Sequence, residues 1–155
     1  MIMKIEQITN KTEKETISRQ ILEALPDWFG IPEAREEYIS DSKEQIMLAA
    51  KDNDNPLGFI CLKETGKATV ELAVMGVLKE CHRQGIGRSL FNSAKEIAVG
   101  NGYSFMQVKT VQMGRYKEYD ETNLFYISLG FKEFEIFPTL WDECNPCQIY
   151  VMSLK

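Results

Sequence analysis

The sequence predicts an α/β fold, a mixed sheet flanked by helices, in the order β-α-α-β-β-β-α-β-α-β-β. Three observations carry it. Short apolar runs separated by turn residues fill positions 45–77, the pattern of an antiparallel meander. The apolar period then changes from two to 3.6, with Ile86, Leu90, Ala94, Ile97 and Ala98 on one helical face. Another strand, Phe105 to Thr110, follows, and a strand, crossover helix and strand make a βαβ unit whose strands are expected to be parallel and joined right-handedly.

The elements follow in order. Ile2 to Ile8 is short and β-branched, a first strand. Thr12 and Glu15 have capping-box spacing, and Ile17, Ile21, Leu22 and Leu25 continue at helical intervals until Pro26. Pro32 suits the first position of a second short helix running through Tyr38, leaving Trp28-Phe29-Gly30 as an aromatic loop between the two. Gln45–Ala50 and Leu57–Leu62 read as a hairpin about the turn-forming Asp52 to Pro56. Thr65-Gly66-Lys67 turns the chain into a strand from Ala68 to Val77. The amphipathic helix ends near Gly100-Asn101-Gly102. A loop from Val111 to Asp120 precedes a helix from Glu121 to Leu129, stopped by Gly130 in the αL cap position, and Phe131–Phe137 and Gln148–Leu154 close the sheet.

Composition narrows the function. At 155 residues one domain over 1–155 is expected, and a domain of ~150 residues buries roughly 68–70% of its unfolded surface. A net charge of -5 and a pI of about 5.0 argue against nucleic-acid or anionic-membrane partners, which are held through surplus Lys and Arg. The single histidine, His82, excludes sites built from two or more imidazoles. No metal site is expected: Cys144 and Cys147 have C-x-x-C spacing, but a tetrahedral site needs a second pair, and Cys61 falls in an apolar strand. Met1 to Glu6 lacks the apolar stretch of a secretory signal, and nowhere do ~18 apolar residues run together, so a cytoplasmic location is expected.

The informative segment is Cys81-His82-Arg83-Gln84-Gly85-Ile86-Gly87-Arg88, between a strand and the amphipathic helix. Two glycines let backbone N–H groups turn toward a common point, and the helix adds unpaired donors and a dipole worth ~0.5 charge. Arg83 and Arg88 reinforce such an anion cradle. The spacing is neither a Walker A motif, which needs a following Lys, nor a Rossmann fingerprint, whose sixth position is here Leu90. A tight strand-to-helix turn with no ligand fits the same glycines.

This segment resembles motif A of the GNAT superfamily of acyl-CoA N-acyltransferases, [Q/R]-x-x-G-x-[G/A], read here as His82-Arg83-Gln84-Gly85-Ile86-Gly87 with His82 at a position usually Gln or Arg. Upstream, Glu71 to Val77 resembles the strand that pairs with the pantetheine arm. Downstream, Thr122 to Phe131 is similar to motif B, F-Y-x-x-x-G-F. The resemblance implies a GNAT fold, acetyl-CoA as co-substrate, and transfer of its acetyl group to a primary amine by direct attack in a ternary complex. It implies cofactor contacts from Met75, Gly76, Val77, His82, Arg83, Gln84, Gly85, Ile86, Gly87, Arg88, Asn123 and Tyr126. It leaves the amine acceptor open and is compatible with a homodimer. A CoA-binding sensor without turnover is the alternative, and a nucleotide-binding regulator a third.

An amine of pKa near ~10.4 is only about 1 in 2,500 deprotonated at pH 7, a deficit of roughly 4.6 kcal/mol, so a general base is useful. Strand alternation puts Glu71 on one face with Thr69, Ala73, Met75 and Val77, and a carboxylate beside apolar neighbours makes a suitable base. Glu71 also matches the strand position where some family members carry a catalytic glutamate. Departing thiolate needs a hydrogen-bond donor, and Tyr126 matches the motif B tyrosine with that part. Full proton transfer from a phenol near ~10 to a thiolate near ~8.5 is uphill by roughly 2 kcal/mol, so hydrogen bonding with late or concerted protonation is expected. Trp28, Phe29, Glu33, Glu36, Glu37 and Tyr38 fall where the family's first helices wall the acceptor cleft, and Trp141 and Asp142 lie in the variable loop between the last strands; the same acidic and aromatic residues equally suit a solvated helix face.

Overall fold

The computed structural model describes residues 3–155. The order is β1 (Met3–Ile8), α1 (Lys11–Glu23), α2 (Pro32–Ser42), β2 (Ile46–Asp52), β3 (Asn55–Gly66) and β4 (Thr69–Val77), then a 3-10 turn (Lys79–Cys81). It continues with α3 (Ile86–Gly100), β5 (Phe105–Val111), α4 (Lys117–Ser128), β6 (Lys132–Asp142) and β7 (Asn145–Ser153). This is the order read from the sequence; Ile2 of the expected first strand lies outside the described residues. Seven strands form one mixed sheet, β1-β2-β3-β4-β5-β7-β6. β4 and β5 are parallel, as the βαβ reading requires, with Thr69 opposite Phe105 and Leu72 opposite Val108. β7 lies between β5 and β6, antiparallel to both. No described helix is long and apolar enough to cross a membrane.

Several boundaries move for identifiable reasons. The cap of α1 is Asn10, whose side chain accepts from the Glu13 amide at 2.9 Å, so the Thr12–Glu15 box is not the start. α2 runs a turn beyond Tyr38 because Ile39 and Ser42 are buried. α4 begins at Lys117 rather than Glu121; its Glu118 and Asp120 sit in the first turn, where carboxylates favour the helix dipole. β6 and β7 extend toward each other until Asp142 faces Asn145.

Contacts divide the chain into two compact units, Met1–Lys63 with Ala73–Ile97, and Glu64–Leu72 with Ala98–Lys155. In the first, α1 buries Ile17, Ile21 and Leu22 among Met47, Ala49, Phe59, Cys61 and Val74. Each such side chain contributes roughly 1.5–3 kcal/mol on burial. α1 crosses β4 so closely that a Cβ on Gly76 would lie 2.9 Å from Ile21 Cγ2, and only glycine fits there. In the second, Met106 and Val108 of β5 pair with Met152 and Tyr150 of β7, all four buried. Tyr126 of α4 packs edge-on against Phe131, with ring centroids 5.9 Å apart, and tilted against Tyr150 at 6.3 Å.

Candidate functional site

In the first unit, β4 runs past its last rung with β5, Leu72 opposite Val108, so Ala73 to Val77 extend beyond that ladder. The chain then makes the 3-10 turn and enters the glycine loop. Arg83 has φ 64° and Gly85 φ 81°, both left-handed, while His82 between the turn and Arg83 is extended. Left-handed residues in a turn bring neighbouring amides toward one side, the kind of backbone from which anion-binding concavities are built. The first bond of α3 runs from the Ser89 amide to the Gly85 carbonyl at 3.0 Å, so the Ile86 and Gly87 amides precede the helical ladder. A Cβ on Gly85 would meet nothing within 4 Å, and the residue is exposed, so this side of the loop faces open space. Arg83, Gln84 and Arg88 are exposed around it, whereas Ile86 is buried and anchors the helix start.

His82 holds the loop to the strand. Its Nε2 is 2.7 Å from the Val77 carbonyl oxygen, which requires the proton on Nε2. Trp28 packs edge-on against the imidazole, with centroids 5.6 Å apart. Lys79 pairs with Asp27 at 3.4 Å, so the loop between α1 and α2 touches the β4–α3 connection at two points. Of the other residues the sequence grouped as an acceptor wall, Phe29 packs edge-on against Tyr38. Glu36 is held by Arg19 through bonds of 2.7 and 2.9 Å, which lower its carboxyl below the usual range. Trp141 is exposed, and Asp142 closes the β6–β7 hairpin by accepting from the Cys144 amide and from Asn145.

Along β4 burial alternates as expected: Val70, Leu72, Val74 and Gly76 are buried, while the opposite face is more accessible except at Glu71, which belongs to the second unit. Glu71 is 7% exposed, and its Oε1 lies 2.9 Å from Lys109 Nζ on β5. The apolar surroundings expected for this carboxylate are therefore interrupted by an ammonium, a partner that no spacing in the sequence announces. Cys147 lies near this pair, and burial chiefly pushes its thiol up to about 11, with the Lys109 charge opposing and Glu71 assisting. Cys144 is exposed and Cys147 buried, and both are free thiols. Among the described residues no three His, Cys, Asp or Glu side chains gather as metal ligands.

Tyr126 is 8% exposed, a buried residue among Phe125, Phe131 and Tyr150 rather than a helix-surface aromatic. Asn123, one turn earlier, is fully buried. Its Nδ2 donates to the Val111 carbonyl at 2.9 Å and the Tyr119 carbonyl at 2.6 Å, and its Oδ1 accepts from the Tyr150 hydroxyl at 2.6 Å. The cofactor contact expected of Asn123 thus meets a carboxamide already engaged inside the protein.

The sequence matches the family model described as an acetyltransferase (GNAT) domain over residues 43–133, more than half of the chain. The chain belongs to the GNAT acetyltransferase family. Among curated proteins no sequence matches this GNAT chain. A GNAT-family protein from Desulfovibrio desulfuricans is similar at a TM-score of 0.88 and 16% identity, covering 99% of this chain and 100% of that one. The ribosomal-protein-S18-alanine N-acetyltransferase of Escherichia coli follows at 0.77 and 16%, covering 99% and 95%. The yncA protein of Salmonella typhimurium, solved with acetyl-CoA, gives 0.71 and 15%, covering 99% and 94%. At such identities the likeness carries the GNAT fold and not the substrate.

Proposed function

We propose that this acetyltransferase moves an acetyl group from acetyl-CoA to a primary amine. The observation that carries the reading is the glycine loop, where left-handed Arg83 and Gly85 run directly into the N-terminus of α3. An exposed glycine loop at a helix N-terminus, flanked by two arginines, suits a pyrophosphate, and the protein solved with acetyl-CoA shares the fold. When bound, acetyl-CoA supplies an acyl thioester, the electrophile of the reaction. The amides from Gln84 to Gly87 bind the pyrophosphate, with Arg83 and Arg88 adding charge, and His82 orders the loop through Val77. Backbone groups of Met75 and Gly76, past the last β5 rung, align the pantetheine arm. Glu71 takes the proton of the attacking amine, directly or through water, and Tyr126 donates a hydrogen bond to the departing thiolate.

Acetyl-CoA raises the melting temperature in this reading, because a ligand that binds only the folded state stabilises it. No shift at millimolar acetyl-CoA overturns it. Tyr126→Phe lowers kcat by about 100-fold while CoA affinity stays near wild type; equal losses in both make the tyrosine structural. Glu71→Gln flattens the acidic limb of the pH-rate profile, and an unchanged limb dismisses Glu71 as the base.

The Lys109 contact favours one other reading, a CoA-binding module without turnover, since the carboxylate assigned as base already holds an ammonium. Thiol release from acetyl-CoA over a panel of polyamines, aminoglycosides, amino acids and peptide N-termini separates the two. Binding with no release on any amine supports the module.

A further inference from the structure

We propose that Asn123 and Tyr150 are positioning residues for Tyr126, a role that rests on the reading of Tyr126 as the thiolate's donor. α4 is held only thinly by apolar packing. Its buried residues are Asn123 and Tyr126, while Leu124 and Ile127 are 58% and 43% exposed. Dispersion contacts are non-directional, so a helix with so little buried apolar surface has its roll and axial position weakly specified by them. Hydrogen bonds are directional, and here they supply what packing does not.

One carboxamide makes the connection to three places. Asn123 Nδ2 reaches the Val111 carbonyl at the end of β5 and the Tyr119 carbonyl of its own helix. Its Oδ1 accepts a hydrogen bond from the hydroxyl of Tyr150, which is 1% exposed on β7. Both amide hydrogens are therefore used, and the phenol of a fully buried tyrosine is satisfied. Asparagine is a poor helix-interior residue, and a hydroxyl in a sheet core costs free energy unless paired, so an apolar pair would hold the helix more cheaply. What the polar pair adds is a fixed geometry. Asn123 lies three residues before Tyr126, on the same helical face, and the Tyr150 ring that donates to Asn123 also packs against the Tyr126 ring. The brace thereby sets both the turn of helix that carries Tyr126 and the wall against which its ring rests.

The test is a double-mutant cycle with Tyr150→Phe and Tyr126→Phe, read as kcat and CoA affinity, with thermal melts to follow folding. Tyr150→Phe keeps the ring and removes the donor. In the wild-type background it lowers kcat by about 10-fold with CoA affinity within about twofold, and in the Tyr126→Phe background it changes kcat by less than about twofold. Asn123→Ala follows the same pattern where it folds; Tyr150→Phe carries the test where it does not. Equal losses in both backgrounds, or a loss in CoA affinity in place of kcat, overturn the positioning role alone. A Tyr126→Phe enzyme with full kcat, or no thiol release by wild type on any amine, removes the reading of Tyr126 and the positioning role with it.

Discussion

Glu71 and Lys109 sit on neighbouring parallel strands, side chains 9% and 26% exposed, with 2.9 Å between carboxylate and ammonium. Their meeting follows from register. Glu71 stands opposite Gln107, so Lys109 is the next residue of β5 on the same face, within diagonal reach. A one-residue slip would turn Lys109 to the other face, which is why the pair is invisible until the pairing is known. Removing one partner leaves a charge poorly solvated. Lys109→Met costs about 2–3 kcal/mol by thermal or denaturant unfolding, and pairing it with Glu71→Gln recovers most of the loss. A single variant as stable as wild type shows the pair to be solvated. At this scale the sequence marks groups by type and motif, as with Glu71 and Tyr126, and says little of what touches them. The bond of Asn123 to Tyr150 joins residues 27 apart in sequence, a distance no periodicity spans.

At the scale of elements, the glycine loop between β4 and α3 is the part most legible in advance. Its glycines, the strand before it and the amphipathic helix after it are all local signals, and the left-handed Gly85 is one that glycine alone adopts without cost. Arg83 at φ 64° is not so readable, since nothing in an arginine announces that conformation. Gly85→Ala has open space for its Cβ, so its cost is backbone strain of about 1–2 kcal/mol, a small drop in melting temperature. The larger effect is on binding: CoA affinity falls about 10-fold or more as the amides leave their common aim. Unchanged affinity by titration overturns the cradle. The start of α4 was hidden for the opposite reason. Its N-cap, Tyr116, makes no side-chain cap bond, and the Asp120 carboxylate instead accepts from the Gly114 amide of the preceding loop. With no capping residue to read, the helix could be placed only from its interior, four residues late.

For the whole molecule, burial of thiols and phenol sets the response to alkali. Cys61, Cys81, Cys147 and Tyr150 are all displaced upward chiefly by burial. A folded-state value above the unfolded one means that the unfolded chain loses these protons first. Their contribution to stability is full below the ordinary thiol range near ~8.5 and, for Cys147, is lost as pH rises toward about 11. The melting temperature therefore falls by several °C between pH ~8.5 and the upper end of that window, and Cys147→Ala shows a shallower decline. A flat profile through that window contradicts the burial of these groups. The charged surface acts at the other end, where protonating Glu36 and Glu44 removes their bonds to Arg19 and Lys11. The chain's one imidazole and one of its two indoles, His82 and Trp28, meet at 5.6 Å beside the glycine loop. Trp28 therefore stands as a built-in reporter at the loop proposed to hold CoA: a change in indole emission on adding CoA, against the exposed Trp141 as background, is the expected outcome, and unchanged emission counts against binding there.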